Sequence, residues 1–277
     1  LKSLSVGGGE GEEPTPLNPV GDSGLEWTLS RTVESGDSGE LTFTLNYEDL
    51  AGNDGVSVSN TTNNSKITFD TSAPTLSGIV LASTNANTEG QLEQLAKAGD
   101  TVTLTVASSE ALKSLSVGGG EGEPTPFNPV GDSGLEWTVS RTVESGENGE
   151  SGFTLNYEDL AGNDGASVSN TTNSSTVMVD TVAPTIESVS FSSSSPSSDP
   201  DYPSSYLSME DDTVTLSLTT DERVENVEVK INGYSYSATD DGGGTSWTVE
   251  HMVTSGEDVE SLEFEITSFS DPSGNAL

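Results

Sequence analysis

The sequence has 277 residues, of which 46 are acidic and only 8 are basic, so its formal net charge at pH 7 is −38. A chain this acidic repels nucleic acid and anionic membrane surfaces, both of which attract clusters of lysine and arginine. The absence of cysteine excludes disulfides and thiol chemistry. Cations are therefore the partners that the composition favours, although a solvated surface suited to salty surroundings is a second interpretation of the charge.

The low hydrophobic content, 30% of residues, would also fit a disordered chain. However, threonine alternates with apolar residues along Thr101–Val106, as it does in a half-buried strand. No apolar run approaches the ~20 residues of a membrane span, so we expect no direct membrane insertion in this segment. Nothing at Leu1 resembles a signal peptide, so any export signal would lie outside this sequence.

One sequence unit recurs along the chain with an offset near 110 residues. Leu1–Gly9 returns as Leu112–Gly120, and the decapeptide NYEDLAGNDG occurs unchanged at Asn46–Gly55 and Asn156–Gly165. A third, more divergent copy is marked by Asp212–Leu218, Trp247 and Asp271–Asn275. The decapeptide contains three acidic residues, and its exact repetition indicates that specific oxygen atoms are needed in specific places.

The copies meet at two linkers, D-T-S-A-P from Asp70 and D-T-V-A-P from Asp180. We therefore predict a partial domain at residues 1–72, a complete domain at 73–182 and a domain lacking its last strand at 183–277. Both ends of the chain fall inside a repeat. We expect the sequence to be a window of a longer repetitive protein, or else its incomplete ends to complete each other by strand addition between chains.

In the middle copy, short alternating segments separated by turn residues predict the following strands: Leu76–Leu81, Thr101–Val106, Leu112–Val117, a short one near Phe127, Leu135–Thr142, Phe153–Tyr157 and Ser167–Val179 with a break near Asn170. About seven short strands in ~110 residues are typical of an immunoglobulin-like β-sandwich. Only Glu89–Ala98 is compatible with one or two helical turns. The predicted fold is all-β, with tandem immunoglobulin-like sandwiches joined by short linkers.

Each copy contains one tryptophan, at Trp27, Trp137 and Trp247. A single large aromatic residue per sandwich predicts a core anchor. A stacking platform for sugars is the alternative, and it would require an exposed ring.

Several motifs recur in the same order: D-T-x-A-P-T at the linkers, G-D-T-V-T-L-T-V from Gly99, the following S-E at Glu110, and D-x-A-G-N from Asp49 and Asp159. In this order they resemble the bacterial immunoglobulin-like repeats of large cell-surface adhesins, over the whole chain. The resemblance implies an elongated rod of sandwiches at the cell surface, often with calcium at the joints. The third copy departs from the pattern, with Pro272-Ser in place of Leu-Ala.

Strand direction predicts which acidic residues converge. If the strands of a sandwich alternate in direction, the incoming linker, the loop between the second and third strands and the final hairpin loop lie at the same end. These segments carry Asp70, Glu110, and Asp159 with Asn163 at the middle domain. For the third domain the corresponding residues are Asp180, Glu222, and Asp271 with Asn275.

Calcium binds six to eight hard oxygen ligands from carboxylates, amides, backbone carbonyls and water, which such a set would supply; Mg²⁺ demands a stricter octahedron. Without the ion, the carboxylates would repel each other. The alternative is turn chemistry alone, because Asp and Asn also stabilise turns by bonding their own backbone. In the first copy, Asp49 and Asn53 are candidate ligands without a preceding linker, so we expect that site to be weak or empty.

Four glycosylation sequons begin at Asn60, Asn63, Asn170 and Asn173, all in the break of the last strand. Such sequons also arise by chance in chains rich in serine and threonine, so a polar bulge is the alternative. We expect no enzyme, because the only histidine, His251, has no nucleophile motif near it, and the D-T linkers lack the glycine of the protease D-T-G motif.

These observations predict structural stalk or spacer repeats of a cell-surface or secreted adhesin, located outside the cell and rigidified by calcium at the junctions between domains. The adhesion ligand is not specified by the sequence. One alternative is a self-assembling filament or surface-layer subunit, in which neighbouring copies exchange strands. The other is a carbohydrate-binding module, which an exposed tryptophan would favour.

Overall fold

The computed structural model describes residues 1–7, 15–20, 24–86, 91–118, 125–126, 128–130, 134–195, 208–257 and 262–276. Phe127 lies outside these ranges, so the strand predicted there is represented only by its neighbours. All regular structure in the described part is β-strand, so the all-β prediction is confirmed. Among the described residues, no helix is long and apolar enough to cross a membrane.

Residues 1–75 form short strands in small sheets. The strands are β1 (Ser3–Gly7), β2 (Thr15–Pro16), β3 (Asn18–Val20), β4 (Glu26–Thr28), β5 (Gly39–Glu40), β6 (Thr44–Glu48) and β7 (Thr68–Phe69). The sheets have the strand orders β2-β1-β6, β3-β4 and β5-β7. In this part of the chain the alternating residues of β6 are only half-buried on their apolar side.

Residues 76–182 form longer strands with the same sequence motifs. The strands are β8 (Leu76–Ser83), β9 (Glu93–Ala96), β10 (Thr101–Ser108), β11 (Leu112–Gly118), β12 (Thr125–Pro126), β13 (Asn128–Val130), β14 (Glu136–Thr142), β15 (Gly149–Glu150), β16 (Thr154–Asp159) and β17 (Thr176–Val179). Their sheets have the orders β13-β14-β10-β8, β12-β11-β16 and β15-β17-β9. The last strand is therefore shorter than predicted, since Val168 contributes only an isolated bridge to Leu155.

Residues 183–276 repeat this arrangement with β18 (Ile186–Ser193), β19 (Thr213–Thr220), β20 (Glu225–Ile231), β21 (Tyr234–Ser237), β22 (Thr239–Asp240), β23 (Ser246–Met252) and β24 (Phe264–Ser270). One sheet has the order β18-β19-β23-β22 and the other has the order β21-β20-β24. Antiparallel neighbours in two sheets give the immunoglobulin-like sandwich that the strand pattern predicted.

The core follows from strand alternation. In β10 the valine and leucine side chains of Val102, Leu104 and Val106 are buried, while the threonines between them face outward. In the last segment a single cluster joins both sheets and includes Leu216, Ile231, Trp247 and Phe269, among others. Trp137 and Trp247 are each only 8% exposed, so the prediction that they anchor the core is confirmed for these two. Trp27 is only half-buried, so its role as a core anchor stays a prediction.

One strand was not predicted. The segment compatible with helical turns, Glu89–Ala98, contains the strand β9, which pairs in parallel with β17 from Thr176↔Glu93 to Val179↔Ala96. Glu89 itself lies outside the described residues. The backbone bonds that β17 offers outweigh the helix propensity of these residues, because propensity is a weak preference that tertiary pairing overrides.

Contacts divide the described chain into two compact units. The first consists of residues 1–75, 110–115 and 156–166, and the second of residues 76–109, 116–155 and 167–277. These units do not test the three predicted domain boundaries, which stay a prediction.

Candidate metal centres

The loop after β16 is organised around the carboxylate of Asp159. Its Oδ1 accepts hydrogen bonds from the backbone N–H groups of Ala161 (2.8 Å), Gly162 (2.7 Å) and Asn163 (2.9 Å). Its Oδ2 accepts one from Asn163 Nδ2 at 2.8 Å, and the side chain is buried. Burial raises the pKa of Asp159, but the bonds from Asn163, Gly162 and Ala161 outweigh it and hold the pKa below its ordinary value.

The incoming linker is attached to this loop through one amide group. Asn163 Nδ2 donates to the backbone oxygen of Asp70 at 3.1 Å as well as to Asp159 Oδ2. Because both partners are acceptors, the NH₂ side of the amide must face them. The Asp70 carboxylate in turn accepts the backbone N–H of Ser72 at 3.1 Å, which closes a turn within the linker.

The third member of the cluster, Glu110, follows β10. One carboxylate oxygen from each of Asp70, Glu110 and Asp159 lies within 4.8 Å of the others. Burial raises the pKa of Glu110, and the negative charges of Asp70 and Asp159, together with a hydrogen bond to the Asp70 side chain, raise it further. Three segments distant in sequence thus bring three acidic groups to one point within the first compact unit.

The second cluster repeats this geometry with Asp180, Glu222 and Asp271, again within 4.8 Å of one another. Asn275 Nδ2 donates to the Asp180 backbone oxygen at 2.9 Å and to Asp271 Oδ2 at 2.7 Å, and its backbone N–H donates to Asp271 Oδ1 at 2.9 Å. Burial raises the pKa of Glu222, and the charges of Asp180, Asp271 and Asp221 add to the effect. The departure at Pro272-Ser therefore leaves the loop geometry intact.

The basic residues nearest in sequence to the two clusters form ion pairs with other acidic residues. Lys113 Nζ lies 2.9 Å from Glu158 Oε1, and Arg223 Nη2 lies 2.9 Å from Glu225 Oε1. Neither of these two ion pairs includes a member of either cluster.

The donor set suits a hard divalent cation. Each carboxylate has about four lone-pair positions, so a carboxylate that accepts hydrogen bonds can still offer one oxygen to a metal. Three carboxylates, with backbone carbonyls and water, can supply the six to eight oxygens that Ca²⁺ requires. These acidic clusters could hold a metal ion. Asn163 and Asn275 lie beside them and hold the linkers in place with their NH₂ groups, and ligation by their amide oxygens stays a prediction.

The first copy of the decapeptide folds into the same loop without joining a cluster. Asp49 Oδ1 accepts the backbone N–H groups of Ala51 (2.9 Å) and Asn53 (2.8 Å), and Asn53 Nδ2 donates to Asp49 Oδ2 at 2.8 Å. The two clusters of three acids found in the described part of the chain include neither Asp49 nor Asn53. The loop bonds alone therefore account for the geometry of this copy.

Two threonines of the linkers were not singled out by the sequence analysis. Thr71 Oγ1 accepts the Gly36 N–H at 3.1 Å and donates to the Asp37 carbonyl at 3.1 Å. Thr181 Oγ1 accepts the Gly146 N–H at 2.9 Å in the same way. Each linker is thereby tied to the preceding hairpin loop, and the repeated D-T pair was the signal that could have revealed it.

Further contacts around the second cluster could not be predicted from any motif in the sequence. Lys97 Nζ donates to the Gly274 carbonyl at 2.6 Å, and the buried Asn85 donates from Nδ2 to the Ser273 carbonyl at 2.8 Å. Asp221 accepts both the backbone N–H (2.7 Å) and the hydroxyl (2.8 Å) of Thr185 in the linker. Lys97 and Asn85 thus hold the loop 271–275, and Asp221 holds the linker, all within the second compact unit.

The sequon asparagines Asn60, Asn63, Asn170 and Asn173 all lie in exposed turns. Asn63 Oδ1 accepts the Ser65 N–H at 3.1 Å, and Asn173 Oδ1 accepts the Ser175 N–H at 3.0 Å. Side-chain turns of this kind fit the polar bulge considered above, and glycosylation stays a prediction.

His251 is a buried packing residue on β23. Its Nδ1 lies 2.7 Å from the Tyr236 hydroxyl, and its Nε2 lies 3.2 Å from Glu257 Oε1. The ring nitrogens of His251 thus face the side chains of a tyrosine and a glutamate.

Comparison with protein-family models finds no match, and comparison with curated proteins finds none either. Among solved structures, the titin Ig tandem domains A164-A165 are similar, with 12% identity and a TM-score of 0.26, over 74% of this chain and 92% of that chain. The immunoglobulin-like fold described above follows from the strand order and sheet pairing of the chain itself.

Proposed function

We propose that this chain is a run of stalk repeats from a cell-surface or secreted adhesin, in which Ca²⁺ at the two acidic clusters stiffens the junctions between repeats. The observation that carries the proposal is that each cluster draws one acid from a linker and two from loops of the repeat that follows it. A metal bound there joins the linker to the repeat and limits how far the linker can rotate.

The electrostatics support a cation. Three carboxylates with oxygens within 4.8 Å repel each other. Burial raises the pKa values of Glu110 and Glu222, and the charges of the neighbouring aspartates raise them further. A divalent ion removes the repulsion and adds bonds to hard oxygens. The nearby Lys113 and Arg223 are paired with other acids, so they do not replace it.

The free energy that calcium binding is expected to contribute at each site is modest. At millimolar calcium and dissociation constants of roughly 10⁻⁴–10⁻³ M, which are usual for extracellular modules, each site adds about 1–2 kcal/mol to the stability. Such sites are filled outside the cell, where calcium is abundant, and this supports an extracellular location.

The carbohydrate-binding alternative loses support at two of the three tryptophans, because Trp137 and Trp247 are buried and donate their indole N–H groups to Gly134 O (3.2 Å) and Gly244 O (3.1 Å). Trp27 is half-buried, and its indole N–H donates to Gly24 O at 3.3 Å. A stacking platform for a sugar needs an exposed ring. The proposed stalk requires no catalytic residue, and its adhesion ligand would bind elsewhere.

Glu110→Gln and Glu222→Gln provide the test, because the bonds that organise the loops come from Asp159 and Asp271. We expect thermal unfolding of the wild-type chain to rise by several degrees when chelator is replaced by millimolar calcium, and the double variant to lose that rise. Glu136→Gln and Glu187→Gln remove the same charge from exposed positions on β14 and β18 and should keep it. Identical wild-type melting curves in calcium and chelator would contradict the proposal.

A separate measurement addresses stiffness. Small-angle scattering of the intact chain should give a larger maximum dimension with a narrower distribution in calcium than in chelator. A calcium-dependent melting temperature without any change in scattering would retain the metal sites and overturn the stiffening role.

A further inference from the structure

Two side chains of the middle segment, residues 76–182, contact the loop 271–275. Lys97 Nζ donates to the Gly274 carbonyl at 2.6 Å, and Asn85 Nδ2 donates to the Ser273 carbonyl at 2.8 Å. Both acceptors are backbone oxygens, so these two bonds require neither a carboxylate nor a metal ion. All four residues belong to the second compact unit.

The two donors are held in place by Asp100. Its Oδ2 accepts hydrogen bonds from Asn85 Nδ2 at 2.9 Å and from the backbone N–H of Lys97 at 2.8 Å. Because Asp100 Oδ2 and the Ser273 carbonyl are both acceptors, the NH₂ side of the Asn85 amide must face them. The Asp100 carbonyl in turn accepts the Val143 N–H at 2.8 Å, which ties this turn to the end of β14. The donors are therefore oriented by bonds within the middle segment.

The two acceptor carbonyls are held in place by the loop 271–275 itself. The Asp271 N–H donates to the Asn275 carbonyl at 3.0 Å, and the Gly274 N–H donates to the Asp271 carbonyl at 3.0 Å. Gly274 has a φ of 85°, in the left-handed region that glycine adopts at little cost. The loop thus presents its carbonyls through its own backbone bonds.

The burial of Ser273 shows that the contact covers the loop. Ser273 is 3% exposed and Asn85 is 4% exposed. Ala161 occupies the position of Ser273 in the loop after β16 and is exposed, although both loops bond their backbone to the leading aspartate in the same way. The loop fold alone leaves this position open to solvent, so residues outside the loop must cover Ser273. Asn85 is one of them.

We propose that Asn85, Asp100 and Lys97 form a metal-independent lock that keeps the loop 271–275 docked on the middle segment. Calcium at the second cluster would join the linker at Asp180 to loops of the segment that follows it. The lock instead joins one of those loops to the segment before the linker. The inference therefore does not rest on the proposed calcium sites, and it predicts that this junction stays closed when calcium is removed.

The charge of Lys97 suits this role. A hydrogen bond from an ammonium group to a carbonyl is stronger than one between neutral groups. Lys97 is half-buried, so salt screens this bond less than it screens a bond on the open surface. The lock should therefore persist at physiological ionic strength.

The probe is a single thiol at position 273, labelled with iodoacetamide in chelator and followed by mass spectrometry. The chain contains no cysteine, so Ser273→Cys introduces its only thiol, and labelling requires that the loop undocks. The lock uses the Ser273 carbonyl and not its hydroxyl, so this substitution retains the lock bonds. We expect slow labelling that Lys97→Met accelerates roughly tenfold, because it removes a hydrogen bond from a charged donor. Asn85→Ala should act in the same direction.

Three controls accompany these variants. Lys97→Arg retains a charged donor and should keep labelling slow. Lys66→Met removes the same charge from an exposed lysine that pairs with Glu40, so it should leave the rate unchanged. Circular dichroism and melting in chelator show whether each variant is folded, and the Lys97 variants decide the question should Asn85→Ala fail to fold.

The possible outcomes separate the lock from the metal. Fast labelling of the Ser273→Cys chain in chelator, or an equal rate after Lys97→Met, would overturn the lock. Labelling that is slow only in calcium would also overturn it, since docking would then depend on the metal. Slow labelling that depends on Lys97, in a chain whose melting does not respond to calcium, would support the lock and contradict the calcium sites.

Discussion

The last glycine of the repeated decapeptide lies against the ring of its tyrosine. A methyl group on Gly165 would overlap ring carbons of Tyr157, and one on Gly55 would overlap those of Tyr47. The same glycines donate their N–H groups to the tyrosine carbonyls at 3.0 Å and 2.8 Å. The exact repetition thus combines three demands, namely close packing at glycine, loop bonds at Asp159 and the linker contact of Asn163.

Gly165→Ala should therefore destabilise the chain by about 1–3 kcal/mol, the usual cost of inserting a methylene into a packed site. Gly55→Ala should cost less, because Tyr47 is only half-buried and its ring can move. Calorimetry of the two variants checks this order. An equal effect of both would show that the ring contact does not set the cost.

The identical aspartates Asp159 and Asp49 should respond differently to calcium. Asp159→Asn removes a carboxylate from the first cluster, so the calcium-dependent rise in melting temperature should fall, whereas Asp49→Asn should leave that rise unchanged. Melting curves of both variants in calcium and in chelator make the comparison. A loss of the calcium response in Asp49→Asn would place a metal at the first copy too.

The convergence of the acidic residues could be predicted from their spacing, because acids at the ends of predicted strands meet when the strands alternate in direction. The orientation of the Asn163 and Asn275 amides could not, since it depends on which acceptors happen to face the NH₂ group. Asn85 and Lys97 were also invisible to the sequence, because their partners lie in a loop about 180 positions further along the chain.

Among the elements, strands with clear alternation were predicted well and short edge strands poorly. β10 alternates threonine with buried aliphatic residues, and its bounds extend the predicted ones by two residues to Ser108. β9 contains E-Q-L-A, which favours a helix locally, and only its partner β17 makes it a strand. Propensity and periodicity are local signals, so an element that exists through its partner escapes them.

The turn before β19 makes a pH-dependent contribution. Asp212 accepts hydrogen bonds from the Met209 N–H (2.7 Å) and the hydroxyls of Ser195 (2.8 Å) and Ser194 (3.3 Å), and these bonds hold its pKa below the ordinary value. A depressed pKa in the folded state means that the contribution is complete above the unfolded pKa and is lost as pH falls through the folded one.

Asp212→Asn should consequently be less stable than the wild type at neutral pH, with the difference shrinking below about pH 4. Urea unfolding of the variant and the wild type in chelator, between pH 3 and pH 7, measures the difference in their free energies of unfolding. The titration of all other carboxylates is common to both proteins and therefore cancels. A difference that is the same at pH 3 and pH 7 would contradict the assigned role of the Asp212 charge.

At the scale of the whole molecule, the net charge of −38 should lower the stability of the folded state independently of the metal sites. Self-repulsion opposes the folded state, and at 1 M salt the screening length falls to about 3 Å. Sodium chloride should therefore raise the melting temperature of the chain even in chelator. Millimolar calcium should raise it further at high salt if the clusters bind calcium specifically.

The measurement is a melt in 0.05 M and 1 M sodium chloride, each with calcium and with chelator. The Glu110→Gln, Glu222→Gln double variant is the control, because it should keep the salt effect and lose the calcium effect. A calcium effect that disappears entirely at high salt would mean that calcium acts only as a diffuse counterion.

The tandem repeats could be predicted from the sequence, because exact repetition of residues can be recognised without knowing which residues are in contact. The burial of individual residues could not be read from the repeated segment alone. Residues 24–69 and 134–179 have nearly the same sequence, yet Ile67 is exposed whereas Val177, at the equivalent position, is buried. Burial depends on neighbouring strands, and those are a property of the assembled sheets rather than of the repeated segment.

The parallel pairing of β9 with β17 has a consequence for a protein under tension. β9 lies early in the middle segment and β17 lies at its end, and the two run in the same direction. A pull on the two ends of this segment therefore drags the strands past each other lengthwise. All of their hydrogen bonds then bear the load together, whereas bonds of an antiparallel hairpin pulled open at one end would break one after another. A segment built in this way resists stretching more strongly than its free energy of unfolding alone would suggest.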